Sequence, residues 1–299
     1  MNVATLNTNR LWAYLQLMRP ANIVTAWADV LAGIAASGFA VLVNPAPAAW
    51  LLVATTGLYG GGIVFNDVFD AELDAEERPE RPIPSGRATR RGATVLGSVL
   101  LSIGVLGAAQ VSLLSMAIAI GVAAAALLYD AYGKHHPFFG PLNMGICRGG
   151  NLLLGVSILS PMSQVSWYLA LIPITYIAAI TAISRGEVHG GKHNTGIIAL
   201  VLISAVITGL LGLGWLNESY LLVVLPFVML LSVRVLLPFI RAARQPNAEN
   251  ISMAVRSGIL SLIVLDATLS CSYAGFTYGL LVLSLLPIST ALARLFAIT

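Results

Sequence analysis

The run Asn66-Asp67-Val68-Phe69-Asp70-Ala71-Glu72-Leu73-Asp74 holds the side chains of this sequence best suited to do chemistry. As a helix it puts Asp67, Asp70 and Asp74 at i, i+3 and i+7, on one face. Glu72 falls about 140° away from Asp67 at the helical period. Three carboxylates on one stripe repel one another and disfavour the helix unless a cation sits among them. A hard divalent ion with oxygen ligands, Mg²⁺ bridging carboxylates to a substrate phosphate, fits that spacing. The alternative is a solvated acidic helix end. The apolar segment before the run and the basic sequence after it favour the cation.

That basic sequence is Arg78-Pro79-Glu80-Arg81-Pro82-Ile83-Pro84-Ser85-Gly86-Arg87. Its prolines and glycine forbid a regular helix, so it is expected to fold as a cap. Arg78 and Arg81 are placed to meet a diphosphate through charge-assisted bonds; the competing role is contact with lipid head groups. A second polar stretch, Ser184-Arg185-Gly186-Glu187-Val188-His189-Gly190-Gly191-Lys192-His193-Asn194, offers Glu187, His189 and His193 as ligands or proton carriers. Its glycines break any fixed spacing, which argues against zinc. Lys134, after Tyr129-Asp130-Ala131-Tyr132-Gly133, faces a phosphate or snorkels to the interface. Asn143, Cys147 and Asn151 share a helical face beside Arg148, and Asn22 and Asp29 share another. Buried ionisable groups in a bilayer are costly enough to count as functional candidates, Asp29 and Asp266 among them.

Stepping these residues into place requires a membrane bundle. Of 299 residues 58% are hydrophobic and only 10% charged, with mean hydropathy +0.86, where a soluble domain would be roughly 25% charged. At about 20 apolar residues per crossing, the expected spans are 21–43, 47–66, 94–110, 112–130, 141–160, 165–183, 196–215, 219–241, 252–272 and 276–297. Gly57, Gly60, Gly61 and Gly62 allow close helix approach and leave room beside the aspartates. Lys and Arg concentrate at alternate connections, so residues 70–92 and 184–195 and the N-terminus are expected on the cytoplasmic side. The net charge of +3 then reflects orientation, and no nucleic-acid partner is expected. Residues 1–20 lack a signal-peptide pattern and suggest an interfacial helix. Cys147 and Cys271 read as packing residues. One all-α domain, a polytopic membrane helical bundle over 1–299, is expected.

The motif N-D-x-x-D-x-x-x-D followed by Arg-Pro-Glu-Arg-Pro-Ile-Pro-Ser-Gly resembles the first signature of the UbiA superfamily of intramembrane prenyltransferases. The resemblance extends to Arg19-Pro20-Ala21-Asn22, to the Tyr-rich turn with Lys134, and to Gly140-Pro141-Leu142-Asn143. It implies a lipid-open cavity in which two aspartate-rich motifs hold Mg²⁺ and an isoprenyl diphosphate. Asn66, Asp67, Asp70, Asp74 and Glu187 would then hold the metal, with Asp67, Asp70, Glu187 and Lys134 catalytic. Asn22, Asn66, Arg78, Arg81, Lys134, Asn143, Arg148 and Arg185 would bind substrate. The implied activity is transfer of a prenyl group to a small aromatic or lipid acceptor within the bilayer, here a bacterial inner membrane. The family's usual nine spans compare with ten here if the last segment crosses and brings Arg294 to the cytoplasmic side. The second motif departs from D-x-x-D-x-x-G-D: Ser184 and Gly191 replace two acids and Glu187 alone keeps a carboxylate. This altered loop is similar to a divergent branch, the EboC-like proteins. It also motivates a second reading, a binding or transport protein that keeps the lipid-diphosphate site without turnover. A CDP-alcohol phosphotransferase would need D-G-x-x-A-R, which is absent.

Overall fold

The computed structural model describes residues 3–159, 162, 167–216 and 221–296. The chain begins with α1 (Val3–Met18), α2 (Pro20–Ser37), α3 (Ala46–Phe69) and α4 (Ala71–Glu77). Next come α5 (Arg90–Ala109), α6 (Leu113–Ala131), a 3-10 turn (Gly133–His135), α7 (Phe139–Val156) and α8 (Leu171–Ser184). The rest is α9 (His193–Leu216), α10 (Leu221–Arg244), α11 (Ala248–Ala274), α12 (Phe276–Leu283) and α13 (Leu285–Leu295). The described residues are helical and contain no strand.

Local chemistry sets the boundaries. Thr89 caps α5 by accepting from the Gly92 N–H at 3.0 Å, Ser112 caps α6 by accepting from Ser115 at 3.0 Å, and Asn247 caps α11 by accepting from Asn250 at 2.8 Å. Pro20 opens α2, where its missing N–H costs nothing. The chain turns into α2 through Arg19, the one described non-glycine residue at positive φ (46°).

By length and composition seven helices are able to cross a membrane: α3, α5, α6, His193–Trp215 of α9, α10, α11, and Phe276–Leu295 across α12 and α13. Helices α2 and α7 fall outside this set because they carry Asn22, Asp29, Arg148 and Asn151 into the bundle; these polar groups lower their hydropathy while being buried. Helix α8 spans only 14 residues. The expected count of nine to ten therefore exceeds what length and composition alone license.

Helix α3 lies most extensively against α5, and α2 packs against α7, α11 and α13. Glycines permit these approaches. A Cβ on Gly57 would lie 2.4 Å from the Leu100 carbonyl oxygen, and one on Gly33 would lie 2.1 Å from that of Leu152. The fully buried Tyr176 donates its hydroxyl to the Gly258 carbonyl at 3.0 Å, joining α8 to α11.

At the aspartate run the structure corrects the single-helix reading. Helix α3 stops at Phe69 and Asp70 forms a junction (φ −86°, ψ 0°) before α4. The Asp70 and Asp74 N–H groups still donate to the carbonyls of Asn66 and Asp70, so the turn spacing survives a bend. Beyond α4, Arg87 donates to the Gln16 side chain at 2.8 Å, the Glu80 carbonyl at 2.6 Å and Ser85 at 3.0 Å. These bonds fasten the proline-rich stretch onto α1.

Candidate functional site

The ends of α2, α3, α6 and α8, together with α4, α7 and α11, enclose a cavity of about 380 Å³. Its polar end carries Arg19, Asn22, Asn66, Asp70, Asp74, Arg78, Arg81, Asp130, Lys134 and Glu187. Its side walls are largely apolar, with Leu58, Ile63, Val122, Ala126, Ile177 and Ile180 along them, and Gly62 opens the wall of α3.

At the polar end each aspartate of the run already has a cation. Asp67 lies 2.9 Å from Arg19 and 3.4 Å from Arg81, Asp74 lies 2.7 Å from Arg81, and Asp70 pairs with Lys134. Asp67 sits just behind the cavity wall, whereas Asp70 and Asp74 line it. Glu72 points away, 89% exposed, toward Arg90. Asn66 donates to Asp130 at 2.9 Å. Burial pushes the Glu187 carboxyl up to about 6, with Arg78, Arg19 and Arg81 pulling it back. Burial also raises Asp74, partly countered by its hydrogen bond from Arg81.

Deeper in the bundle, Arg148 lies with Nε 2.7 Å from Asp29 and donates to Thr25 at 2.9 Å. Its guanidinium sits 5.1 Å over the Tyr59 ring. Asn151 donates to Asp29 and to the Ala26 carbonyl, and accepts from Thr55 at 2.6 Å. Arg148 and Asn151 thus form a polar floor to the cavity, held by α2.

The structure gathers Asn22, Asn66, Asp70, Asp74, Arg78, Arg81, Lys134, Arg148 and Glu187 around one space. It leaves Asn143 and Arg185 outside that wall: the Asn143 amide lies over Gly133, and Arg185 braces the Lys134 carbonyl at 2.7 Å. Both residues face the 3-10 turn that follows α6, so they act on the backbone that carries Lys134. His189 is exposed, 3.9 Å from Glu77, and a His193 ring nitrogen lies 2.5 Å from the Ala243 carbonyl. Arg19, Asp130 and Tyr59 line the cavity without having been singled out as site residues. For Asp130 there was a signal, its i, i+4 spacing to Lys134.

The donor set fits a hard cation. Among the described residues the cavity offers carboxylate and amide oxygens with no histidine on its wall, and the buried Oε1 of Glu187 has no hydrogen-bond partner. Among the described residues no three acids, histidines or cysteines stand ready-gathered for a metal; the arginines and Lys134 occupy that role instead.

Residues 23–255 match the UbiA prenyltransferase family. The chain belongs to this family. Curated relatives include the digeranylgeranylglyceryl phosphate synthase of Methanothrix thermoacetophila, 33% identical over 171 residues, and that of Ignicoccus hospitalis, 32% identical over 190. These matches cover 57% and 63% of this chain and 61% of each relative. Among solved structures, the UbiA homologue from Aeropyrum pernix K1 matches with a TM-score of 0.66 at 17% identity, over 84% of this chain and 97% of that one. A UbiA homologue from Archaeoglobus fulgidus bound to GPP and Mg²⁺ matches with a TM-score of 0.58 at 15% identity, over 91% and 99%. The UbiA fold and an integral, multi-pass membrane setting follow.

Proposed function

We propose that this UbiA family member is a Mg²⁺-dependent prenyltransferase that moves a prenyl group from an isoprenyl diphosphate to an acceptor within the membrane. The observation that carries this reading is the cavity itself: acids, amides and four cations at its mouth, with largely apolar side walls beyond them. The Archaeoglobus homologue's GPP and Mg²⁺ support the donor class. The name of the archaeal relatives favours a lipid acceptor over an aromatic one.

Asn66, Asp67, Asp70, Asp74 and Glu187 would hold the metal, which when bound neutralises the diphosphate leaving group. Because Lys134, Arg19 and Arg81 now neutralise the acids, donor binding requires an exchange. Arg19, Arg81 and Lys134 would then serve phosphate oxygens through charge-assisted bonds, freeing the acids as oxygen donors for the metal. Arg78 faces the same space without an acidic partner among the described residues. As the allylic carbon–oxygen bond breaks, Leu58, Ile63, Ile177 and Ile180 keep water from the developing cation. Arg148 and Asn151 would orient a polar group of the substrate at the floor.

In this reading α2, α7 and α8 also cross, giving ten crossings with α12 and α13 as the last. The N-terminus, residues 70–92 and residues 184–195 are then cytoplasmic. One domain spans 1–299. Incubating the purified chain with labelled geranylgeranyl diphosphate, Mg²⁺ and lipid extract should yield a labelled lipid and free diphosphate. Mg²⁺-dependent donor binding without any product would favour the second reading, a non-catalytic or transport protein, which the single carboxylate of the second loop motivates.

A further inference from the structure

Charge bookkeeping around the cavity singles out one residue that the family motifs do not contain. Five acids line it: Asp70, Asp74, Glu77, Asp130 and Glu187. Asp70, Asp74 and Glu77 each have a cationic or histidine partner. Asp130 and Glu187 stand in no ion pair among the described residues. Glu187 belongs to the second loop. Asp130 comes from the last turn of α6, on a different wall, and is only 3% exposed.

Its placement is reciprocal with the aspartate run. Asn66 and Asp70 stand one turn apart on one strand of chain, and Asp130 and Lys134 stand one turn apart on the other. Asn66 meets Asp130, and Asp70 meets Lys134. Both acids therefore face the same space across one turn, with Lys134 beside them. Among the described residues Lys134 is the one cation beside them and it pairs with Asp70, so two buried carboxylates share a single counter-charge; that is costly, and a divalent cation offsets the cost. The Asn66 amide nitrogen is also committed to Asp130, which turns its carbonyl oxygen elsewhere as a further hard donor.

Resting on the proposed Mg²⁺–diphosphate reading, we infer that Asp130 is a ligand of the divalent cation, supplied by α6 in place of the carboxylates missing at Ser184 and Gly191. The site of this chain is thereby built between α3 and α6, with the second loop contributing Glu187 alone.

The test uses Mn²⁺ as a paramagnetic stand-in, titrated into the full chain in detergent with geranyl thiodiphosphate and read by electron paramagnetic resonance. Asp130→Asn keeps the shape and removes the charge; it should weaken Mn²⁺ binding by about tenfold or more, while Asp130→Glu should stay within about threefold of wild type. Wild-type affinity in Asp130→Asn, alongside lost affinity in Asp70→Asn, would overturn the inference and leave the proposed function standing. A loss in Asp130→Asn accompanied by a lowered unfolding temperature of the metal-free protein would place the effect in the fold and not at the cation, and would also overturn it. If the wild type itself fails to bind Mn²⁺, the proposed function falls with it.

Discussion

Each acid at the polar end has a distinct environment, and the consequences separate by residue. Asp70 lines the cavity against Lys134, whereas Glu72 is 89% exposed on the far side. Asp70→Asn is expected to weaken Mg²⁺-dependent donor binding by about 100-fold or more, and Glu72→Gln to change it by less than about twofold, both read by titration calorimetry. Glu187 gives a pH signature. Its folded carboxyl sits at about 6, above its ordinary value of 4.5. Its protonated form is thus favoured by folding, and that stability is present below about pH 4.5 and lost as pH rises through about 6. The metal-free protein should accordingly lose thermal stability across that window, and Glu187→Gln should flatten the slope. Metal affinity should run the opposite way, rising through pH 6 as the ligand ionises. The motif acids were legible because they are contiguous and share a period. Of the run's partners Arg81 and Lys134 stand out in the sequence as cations, but Arg19 lies 48 residues from Asp67 and Asp130 lies 64 from Asn66, and only folding brings those together.

At the level of helices, the apolar lengths of α3, α5, α6, α10 and α11 are readable from hydropathy alone. Helices α2 and α7 are harder, because the polar groups that make them useful also weaken their membrane signal. They meet at Gly33 and Gly155, where an added Cβ would lie 2.1 Å from the carbonyl oxygens of Leu152 and Val30. Backbone atoms cannot step aside as a flexible side chain does. Gly33→Val should therefore destabilise the bundle by about 1–3 kcal/mol, seen as a lower unfolding temperature in detergent. Arg148 bridges the same two helices, and its side chain is 5% exposed against 0% for Asp29. Removing it strands a buried carboxylate, so Arg148→Ala should cost about 3–5 kcal/mol, with Asp29→Asn added to it recovering part of the loss. The break at Asp70 escaped the periodicity because the i→i−4 bonds run through it.

Over the whole molecule, the bundle joins two solvents in one cavity: a charged mouth built by α2, α3, α4, the end of α6 and the stretch after α8, and a largely apolar interior built by α3, α6, α8 and α11. The membrane setting followed from composition and from apolar runs of about 20 residues, since only 10% of the residues are charged where a soluble domain has roughly 25%. The cavity's shape did not, because it depends on which helices are neighbours. The decisive measurement is calorimetric binding of geranylgeranyl diphosphate to the detergent-purified chain, with and without Mg²⁺, beside Asp70→Asn. Saturable binding that requires both Mg²⁺ and Asp70 is the predicted result. Binding of equal strength without Mg²⁺, or undiminished in Asp70→Asn, would contradict the assignment of this cavity as a metal–diphosphate site.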